Sequence, residues 1–266
     1  REVIEKHKAP QIEGLPTFTG GLVGYFSYDY IKYVEPTLNL DAQDDAHFRD
    51  MDLMLFDQVI AFDHLQQKII LIVNMLLTEE DGNVKSKEAL NMAYEEAKQR
   101  LVKIKELIEA RDYAPHVPLK LKSEFTPRFS KEKYCEMVEK AKHYIYEGDI
   151  FQVVLANRLK AKIEGSILDV YRVLRTTNPS PYMFYFSSND IEIAGASPET
   201  LAKLEGGTLH TFPLAGTRKR GNTYEEDQEL EKELLADEKE LAEHNMLVDL
   251  GRNDIGKISR IGTVEV

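Results

Sequence analysis

Cysteine is nearly absent: Cys135 is the single thiol in 266 residues. One thiol forms no disulfide within the chain and builds no cysteine-based zinc site. It falls in a helical pattern, so a buried thiol is expected in preference to a nucleophile. A reducing cytoplasm is the simplest compartment. Long apolar runs are also missing. None reaches the roughly 18 residues that a membrane span needs, and the longest, residues 69–77, is interrupted by Asn74 and reads as a strand. The opening Arg1-Glu2-Val3-Ile4-Glu5-Lys6 is charged and mixed, unlike a secretory signal. It starts with Arg in place of Met, which points to a start inside a longer gene product or to processing. No Gly-Lys-Ser/Thr phosphate loop and no dinucleotide-binding glycine spacing is present. Nor is there a low-complexity tract or a repeat of fixed period. An excess of positive charge is lacking too. The net charge of −12 argues against a broad nucleic-acid surface. A small anionic substrate stays possible if a local metal, arginine or array of amide N–H groups receives it.

What is present suits one large domain or two small ones, with 42% apolar and 30% charged residues. Residues 20–29 are rich in glycine and aromatics, the mark of close backbone approach or a bulge within a strand. The apolar runs 52–63 and 68–77, joined by His64-Leu65-Gln66-Gln67, predict an antiparallel hairpin. Leu90, Tyr94, Ala97, Leu101, Ile104 and Ile108 recur at helical spacing and predict a helix over 86–110. Residues 111–129 hold Pro115, Pro118 and Pro127 and read as a connector. Then come a helix over 130–147 with Ser130 as N-cap and Gly148 past its end, a strand over 150–159 and a helix over 166–177. Strands are predicted at 182–187 and 191–195, and a hairpin at 200–205 and 208–212 around Gly206-Gly207. Two helices close the chain. Thr223 with Glu226 caps the first and Asp237 with Glu240 the second. Hairpin-paired strands interrupted by helices imply an α+β fold.

Three segments hold chemistry-bearing residues. In 237–249, Glu240 and Glu243 stand three apart on one helix face. Such a pair near a helix start can hold Mg²⁺, which takes oxygen ligands and keeps several waters. The plainer alternative is that Glu240 only completes a capping box on a solvated face, and His244 alone is more often structural than a ligand. In 211–221, a proline-bounded turn leads to Gly216, Thr217 and three cations. The Gly216 N–H and the Thr217 hydroxyl can bind a carboxylate, or the segment is an ordinary solvated turn. In 194–200, Glu199 follows Pro198 at the edge of a strand pair. It is either a general acid or a surface turn residue.

Six segments together resemble the chorismate-utilising enzymes, a family of anthranilate, aminodeoxychorismate, isochorismate and salicylate synthases. They are GGLVGYFSYD at 20–29, GDIFQVVLANR at 148–158, NPSPYMFY at 178–185, GASPET at 195–200, PLAGTRKRG at 213–221 and DEKELAEHNMLVDLGRND at 237–254. The resemblance implies an α+β fold, an antiparallel β-sandwich with outer helices, incomplete in this chain. Residues 1–266 would be the central part of one chorismate-binding domain. In it, 1–115 would be a first sheet portion with a regulatory flank and 116–266 the first part of the catalytic core. The implied chemistry starts from chorismate, a dianion whose ring carboxylate is held by Mg²⁺. A nucleophile adds to the ring, the ring hydroxyl leaves with acid assistance, and anthranilate-forming members then eliminate pyruvate.

Matched by motif, Glu243 corresponds to a Mg²⁺ ligand, Glu240 to its supporting carboxylate and Glu199 to the general acid. Gly216 and Thr217 correspond to chorismate contacts. Isochorismate- and salicylate-forming enzymes carry a water-activating lysine where Gln152 stands, and Gln cannot act as a base at neutral pH. Aminodeoxychorismate synthases often carry a lysine nucleophile where Ala215 stands. With neither lysine, the resemblance implies ammonia as nucleophile, supplied by a glutamine amidotransferase partner, and the anthranilate-forming branch, a lyase of tryptophan biosynthesis. Pro181, Tyr182 and Met183 resemble half of a regulatory tryptophan pocket, or form a structural turn before a strand. The alternatives are an aminodeoxychorismate synthase, or a non-catalytic module that docks a glutaminase or binds tryptophan. Family members extend further on both sides, carrying a catalytic His, a chorismate-binding Arg, a glycine-rich carboxylate loop and a further Mg²⁺-binding Glu. The expectation is therefore that this chain alone has little activity.

Overall fold

The computed structural model describes residues 2–39, 44–79, 82–115 and 117–266. Two compact units divide the chain, Arg1–Pro115 and His116–Val266. The fold is α+β, and the named strands form six two-stranded antiparallel ladders. These are what the described residues contain of the large sheets that the resemblance implies.

In the first unit a short helix α1 (Glu2–Lys6) precedes strand β1 (Gly21–Phe26). β1 pairs with β2 (Met51–Phe56), from Gly21↔Phe56 to Phe26↔Met51. The expected hairpin forms between β3 (Gln58–Asp63) and β4 (Lys68–Val73). The apolar run 52–63 is thus two strands, not one, and Asp57 is the break. Its carbonyl accepts from the Asn74 N–H at 2.7 Å, and its carboxylate accepts from Arg100 Nη1 at 2.6 Å. Arg100 also donates to the Asn74 carbonyl at 2.9 Å, so helix α2 (Lys87–Ala110) is pinned where the ladders change partner. Ser86 caps α2, its hydroxyl accepting from the Ala89 N–H at 3.2 Å. Ala97 is buried, while Tyr94, counted in the apolar stripe, is 59% exposed.

In the second unit the proline-rich connector is not structureless. It supplies β5 (Lys120–Leu121) and β6 (Thr126–Pro127). After helix α3 (Lys131–Glu147), β6 pairs with β7 (Leu159–Lys160) and β5 with β8 (Ile163–Glu164). α3 has the predicted boundaries, with the Ser130 hydroxyl accepting from Lys133 N–H and Gly148 following. Cys135 on α3 is exposed, contrary to the expectation of a buried thiol.

The predicted strand over 150–159 is realised in a ladder only at its end. Residues 150–157 belong to no named ladder among the described residues, and Phe151 and Val154 stay 85% and 86% exposed. The ladder stops at Asn157, whose carboxamide accepts from the Phe129 N–H and donates to the Phe129 carbonyl, both at 3.1 Å. A side chain there replaces the backbone pairing a neighbouring strand would make.

Helix α4 (Leu168–Thr177) leads to the antiparallel pair β9 (Tyr182–Ser187) and β10 (Glu192–Ser197). Phe186 in β9 is buried. The hairpin of β11 (Lys203–Glu205) and β12 (Thr208–His210) turns at Gly206 and Gly207. Helices α5 (Tyr224–Ala236) and α6 (Glu238–Gly256) close the chain. Among the described residues no helix is long and apolar enough to cross a membrane.

At the start of α4 the cap position falls to Ile167, which has no acceptor, and the Leu168 N–H donates instead to the Ser166 hydroxyl at 3.1 Å. Glu192 of β10 supports this start from across the fold. Its carboxylate accepts from the Ile167 N–H at 2.8 Å, the Ser166 hydroxyl at 2.9 Å and the Tyr185 hydroxyl at 2.7 Å. The Tyr185 hydroxyl, then the Ile167 N–H, hold this carboxyl below its ordinary range. A depressed folded pKa means stability that is present above the unfolded value, about 4.3, and lost as pH falls through the lower folded value. Glu192→Gln is expected to lower the unfolding free energy by about 1 kcal/mol at pH 7. Urea titrations should show that this difference shrinks below about pH 4, where the parent's own glutamate protonates.

Candidate functional site

α6 is the element on which the motifs meet. Its start is set by Asp237, whose Oδ1 accepts from the Lys239 and Glu240 N–H groups at 3.0 and 3.2 Å. Two of the helix's orphan donors are thereby satisfied. The other carboxylate oxygen, Oδ2, accepts from Arg218 Nη2 at 2.6 Å. The Glu240 N–H, then Arg218, hold the Asp237 carboxyl below the usual aspartate range. Hydrogen bonds to Asp237 and Glu233 push the Arg218 guanidinium further up.

Steps of three and four residues then place Glu240, Glu243, Leu247 and Gly251 along one face of α6. Between them they meet the other motifs. Glu240 lies against the 213–221 turn. A Cβ on Gly216 would stand 3.4 Å from Glu240 Oε2 and 3.0 Å from Leu234 Cδ1. Gly216 has φ +85°, a conformation that L side chains rarely adopt. Glu243 Oε1 accepts from Gln152 Nε2 at 3.1 Å, which links the 148–158 and 237–254 segments. Leu247 and Gly251 line a cavity of about 370 Å³ together with Ser197, Glu199, Thr200, Leu201, Thr211 and Pro213. Gly251 permits this closeness, since a Cβ there would stand 3.1 Å from Thr211 Cγ2.

The capping-box alternative for Glu240 can be weighed directly. A reciprocal box would have its carboxylate receive the Asp237 N–H. That N–H instead donates to the Leu234 carbonyl at 3.3 Å. The Glu240 side chain is 19% exposed and turns towards Gly216, with Oε1 3.9 Å from Arg218 Nη1 and 3.8 Å from Lys239 Nζ. In α5, by contrast, Glu226 reaches back past its own cap residue Thr223, accepting from the Asn222 N–H at 2.7 Å.

The remaining predicted residues fall as follows. Glu199 is exposed at the cavity's edge, and its N–H and carbonyl both engage the Ser197 hydroxyl. Ala215 is half-buried beside Gly216, and Thr217 is exposed, its carbonyl accepting from Arg218 Nη1 at 3.1 Å. Pro181 precedes β9, where Tyr182 and Met183 pair with Ser197 and Ala196. The sequence reading passed over Arg218, Leu247, Thr211 and Gly251. Leu247 and Gly251 were legible in principle, since they continue the 243 face at intervals of four.

Whether the face suits Mg²⁺ is a matter of donor chemistry. Among the described residues no group of three or more His, Cys, Asp or Glu side chains is placed to hold a metal. Mg²⁺ does not require one, because it commonly binds through one or two carboxylates and keeps its waters. Glu240 and Glu243 supply two carboxylates one helical turn apart, and glycine at 216 keeps a side chain from being pressed against Glu240 Oε2 and Leu234. The residues present fit a partial, water-completed site.

Comparison with known proteins follows the same lines. The family model described as chorismate binding enzyme matches residues 1–266. Anthranilate synthase component 1 of Acetivibrio thermocellus is 46% identical over 271 residues, spanning 99% of this chain and 53% of that protein. Its counterpart in Acinetobacter calcoaceticus is 45% identical over 280 residues, spanning 100% of this chain and 53% of that protein. The crystal structure of anthranilate synthase component I from Streptococcus pneumoniae TIGR4 superposes with a TM-score of 0.76 at 37% identity. That likeness covers 96% of this chain and 54% of the other. The chain thus spans about half the length of the curated relatives it matches.

Gly216→Ala tests the close approach of turn and helix. The substitution forces a side chain into a left-handed backbone and against Leu234. A loss of about 1–3 kcal/mol in unfolding free energy is expected, read by denaturant titration.

Proposed function

The chain belongs to the chorismate binding enzyme family, and from that membership we propose that it comes from the large, aminating subunit of an anthranilate synthase. The reaction is the conversion of chorismate and ammonia to anthranilate and pyruvate, with the ammonia delivered by a glutamine amidotransferase subunit. What supports the reading is the convergence on one face of α6. Glu240 lies against Gly216, Glu243 against Gln152, and Leu247 and Gly251 border the cavity that Glu199 lines.

In this reading Glu243 and Glu240 hold Mg²⁺, Glu240 acting through water. Mg²⁺, when bound, offsets the negative charge of the substrate's ring carboxylate. The Gly216 N–H and the Thr217 hydroxyl hold and orient chorismate in the turn. Ala215 leaves that turn without an amine, and so without a nucleophile of the protein's own. Gln152 donates its amide N–H to Glu243 and, having no basic group, does not activate water for attack on the ring. Ammonia therefore adds to the ring. Glu199 gives a proton to the departing ring hydroxyl, which leaves as water. Loss of a ring proton with cleavage of the enolpyruvyl C–O bond then aromatises the ring, and the released enolpyruvate takes up a proton to become pyruvate.

Within the same reading, Arg1–Pro115 contributes a first sheet portion and a regulatory flank, and His116–Val266 the start of the catalytic core, both of one domain. Pro181, Tyr182 and Met183 serve half of a tryptophan site for feedback inhibition. A cytoplasmic setting accords with a lone, exposed Cys135.

The test uses the full-length protein with chorismate, ammonium and Mg²⁺, and reads anthranilate by its fluorescence. Glu199→Gln should cut kcat by about 10²–10⁴-fold, the range of a lost general acid. Glu243→Gln should raise the Mg²⁺ concentration needed for half-maximal rate by at least about tenfold. Release of aminodeoxychorismate in place of anthranilate would overturn the assignment, as would unchanged Mg²⁺ dependence in Glu243→Gln the metal role.

A further inference from the structure

All three nitrogens of the Arg218 guanidinium are engaged, each by a different part of the structure. Nη1 donates to the Thr217 carbonyl at 3.1 Å, in the turn that carries Gly216. Nε donates to Glu233 Oε1 at 3.1 Å, on α5. Nη2 donates to Asp237 Oδ2 at 2.6 Å, at the cap of α6. The side chain is 24% exposed, so these contacts are shielded on most sides. Glu240 Oε1 stands 3.9 Å from Nη1, close enough to feel the charge and too far for a hydrogen bond. Glu240 Oε1 thus sits between the fixed Arg218 and the 83% exposed Lys239, 3.8 Å away, with neither close enough for a hydrogen bond.

We propose that Arg218 is a positioning residue. Its planar fork locks the 213–221 turn to the first turn of α6, and so fixes where the Glu240 carboxylate points relative to Gly216. The inference deepens the metal-holding role proposed above for Glu240 and rests on it. A lysine cannot replace the fork, because a single ammonium does not bridge a carbonyl and two carboxylates in fixed directions. Asp237 is the other half of the device. Its Oδ1 caps the helix while its Oδ2 takes the arginine, so the cap and the turn move as one body.

The experiment uses the full-length enzyme and reads Mg²⁺ affinity directly, by calorimetry without substrate, beside the thermal midpoint. Arg218→Lys is expected to weaken Mg²⁺ about tenfold, the size of loss typical when a group supporting a metal ligand is removed. Asp237→Asn retains a good N-cap but loses the charged partner, so it should fold and give a similar loss. The double variant should lose little beyond either single one, because both break the same link. Glu240→Gln serves as the reference. If Glu240→Gln weakens Mg²⁺ while Arg218→Lys and Asp237→Asn only lower the thermal midpoint, Arg218 is mere scaffold and the proposal fails. If losses in the double variant add fully, the two residues act separately and the proposal also fails. If Glu240→Gln itself leaves Mg²⁺ affinity unchanged, the metal role of Glu240 falls, and the inference falls with it.

Discussion

A helix cannot start until its first amides find acceptors, and in α6 that need is met by one carboxylate. Asp237 caps the Lys239 and Glu240 N–H groups with one oxygen and receives Arg218 with the other. The direction of α6, and therefore of every side chain along its face, depends on that double engagement. Glu240, Glu243, Leu247 and Gly251 reach the 213–221 turn, Gln152 and the cavity only because the helix beneath them starts where it does. Were the cap one residue earlier, each would turn away from its neighbour by about 100°.

The sequence foreshadowed this arrangement unevenly. Local signals read well. Ser130, Thr223 and Asp237 cap the helices predicted for them, because a cap is decided by residues within one turn of each other. The Gly206-Gly207 turn and the hairpin of β3 and β4 were equally plain. What failed depended on distant partners. The run 52–63 looks uniform, yet it breaks at Asp57 because Arg100 on α2 and Asn74 after β4 bind there. Residues 150–157 have the apolar content of a strand, but ladder pairing needs a neighbouring backbone, and at Asn157 a side chain takes that place. A pattern of apolar residues records a tendency to be covered, not the identity of the cover.

At the candidate site the same division holds. The helical spacing of Glu240 and Glu243 by itself puts both on one face. Which motif each would face was not legible, since Gln152 lies 91 positions from Glu243. Arg218 was invisible for another reason. It sits in a run of three cations, and nothing in Arg218-Lys219-Arg220 says which one turns inward. The structure distinguishes them: Arg218 is 24% exposed and bridges two carboxylates, while Arg220 is 90% exposed with Asp227 beside it.

The face of α6 also bears on how such a chain can diverge. A substitution at one position disturbs one contact, but a single inserted or deleted residue between Asp237 and Gly251 would swing everything beyond it by about 100° and slide it 1.5 Å. Leu247 and Gly251 would then no longer border the cavity, however favourable the new residue. Among descendants of this sequence the length of that stretch should therefore be held fixed far more strictly than its composition, and gaps should gather instead in surface turns such as Ser188-Asn189-Asp190.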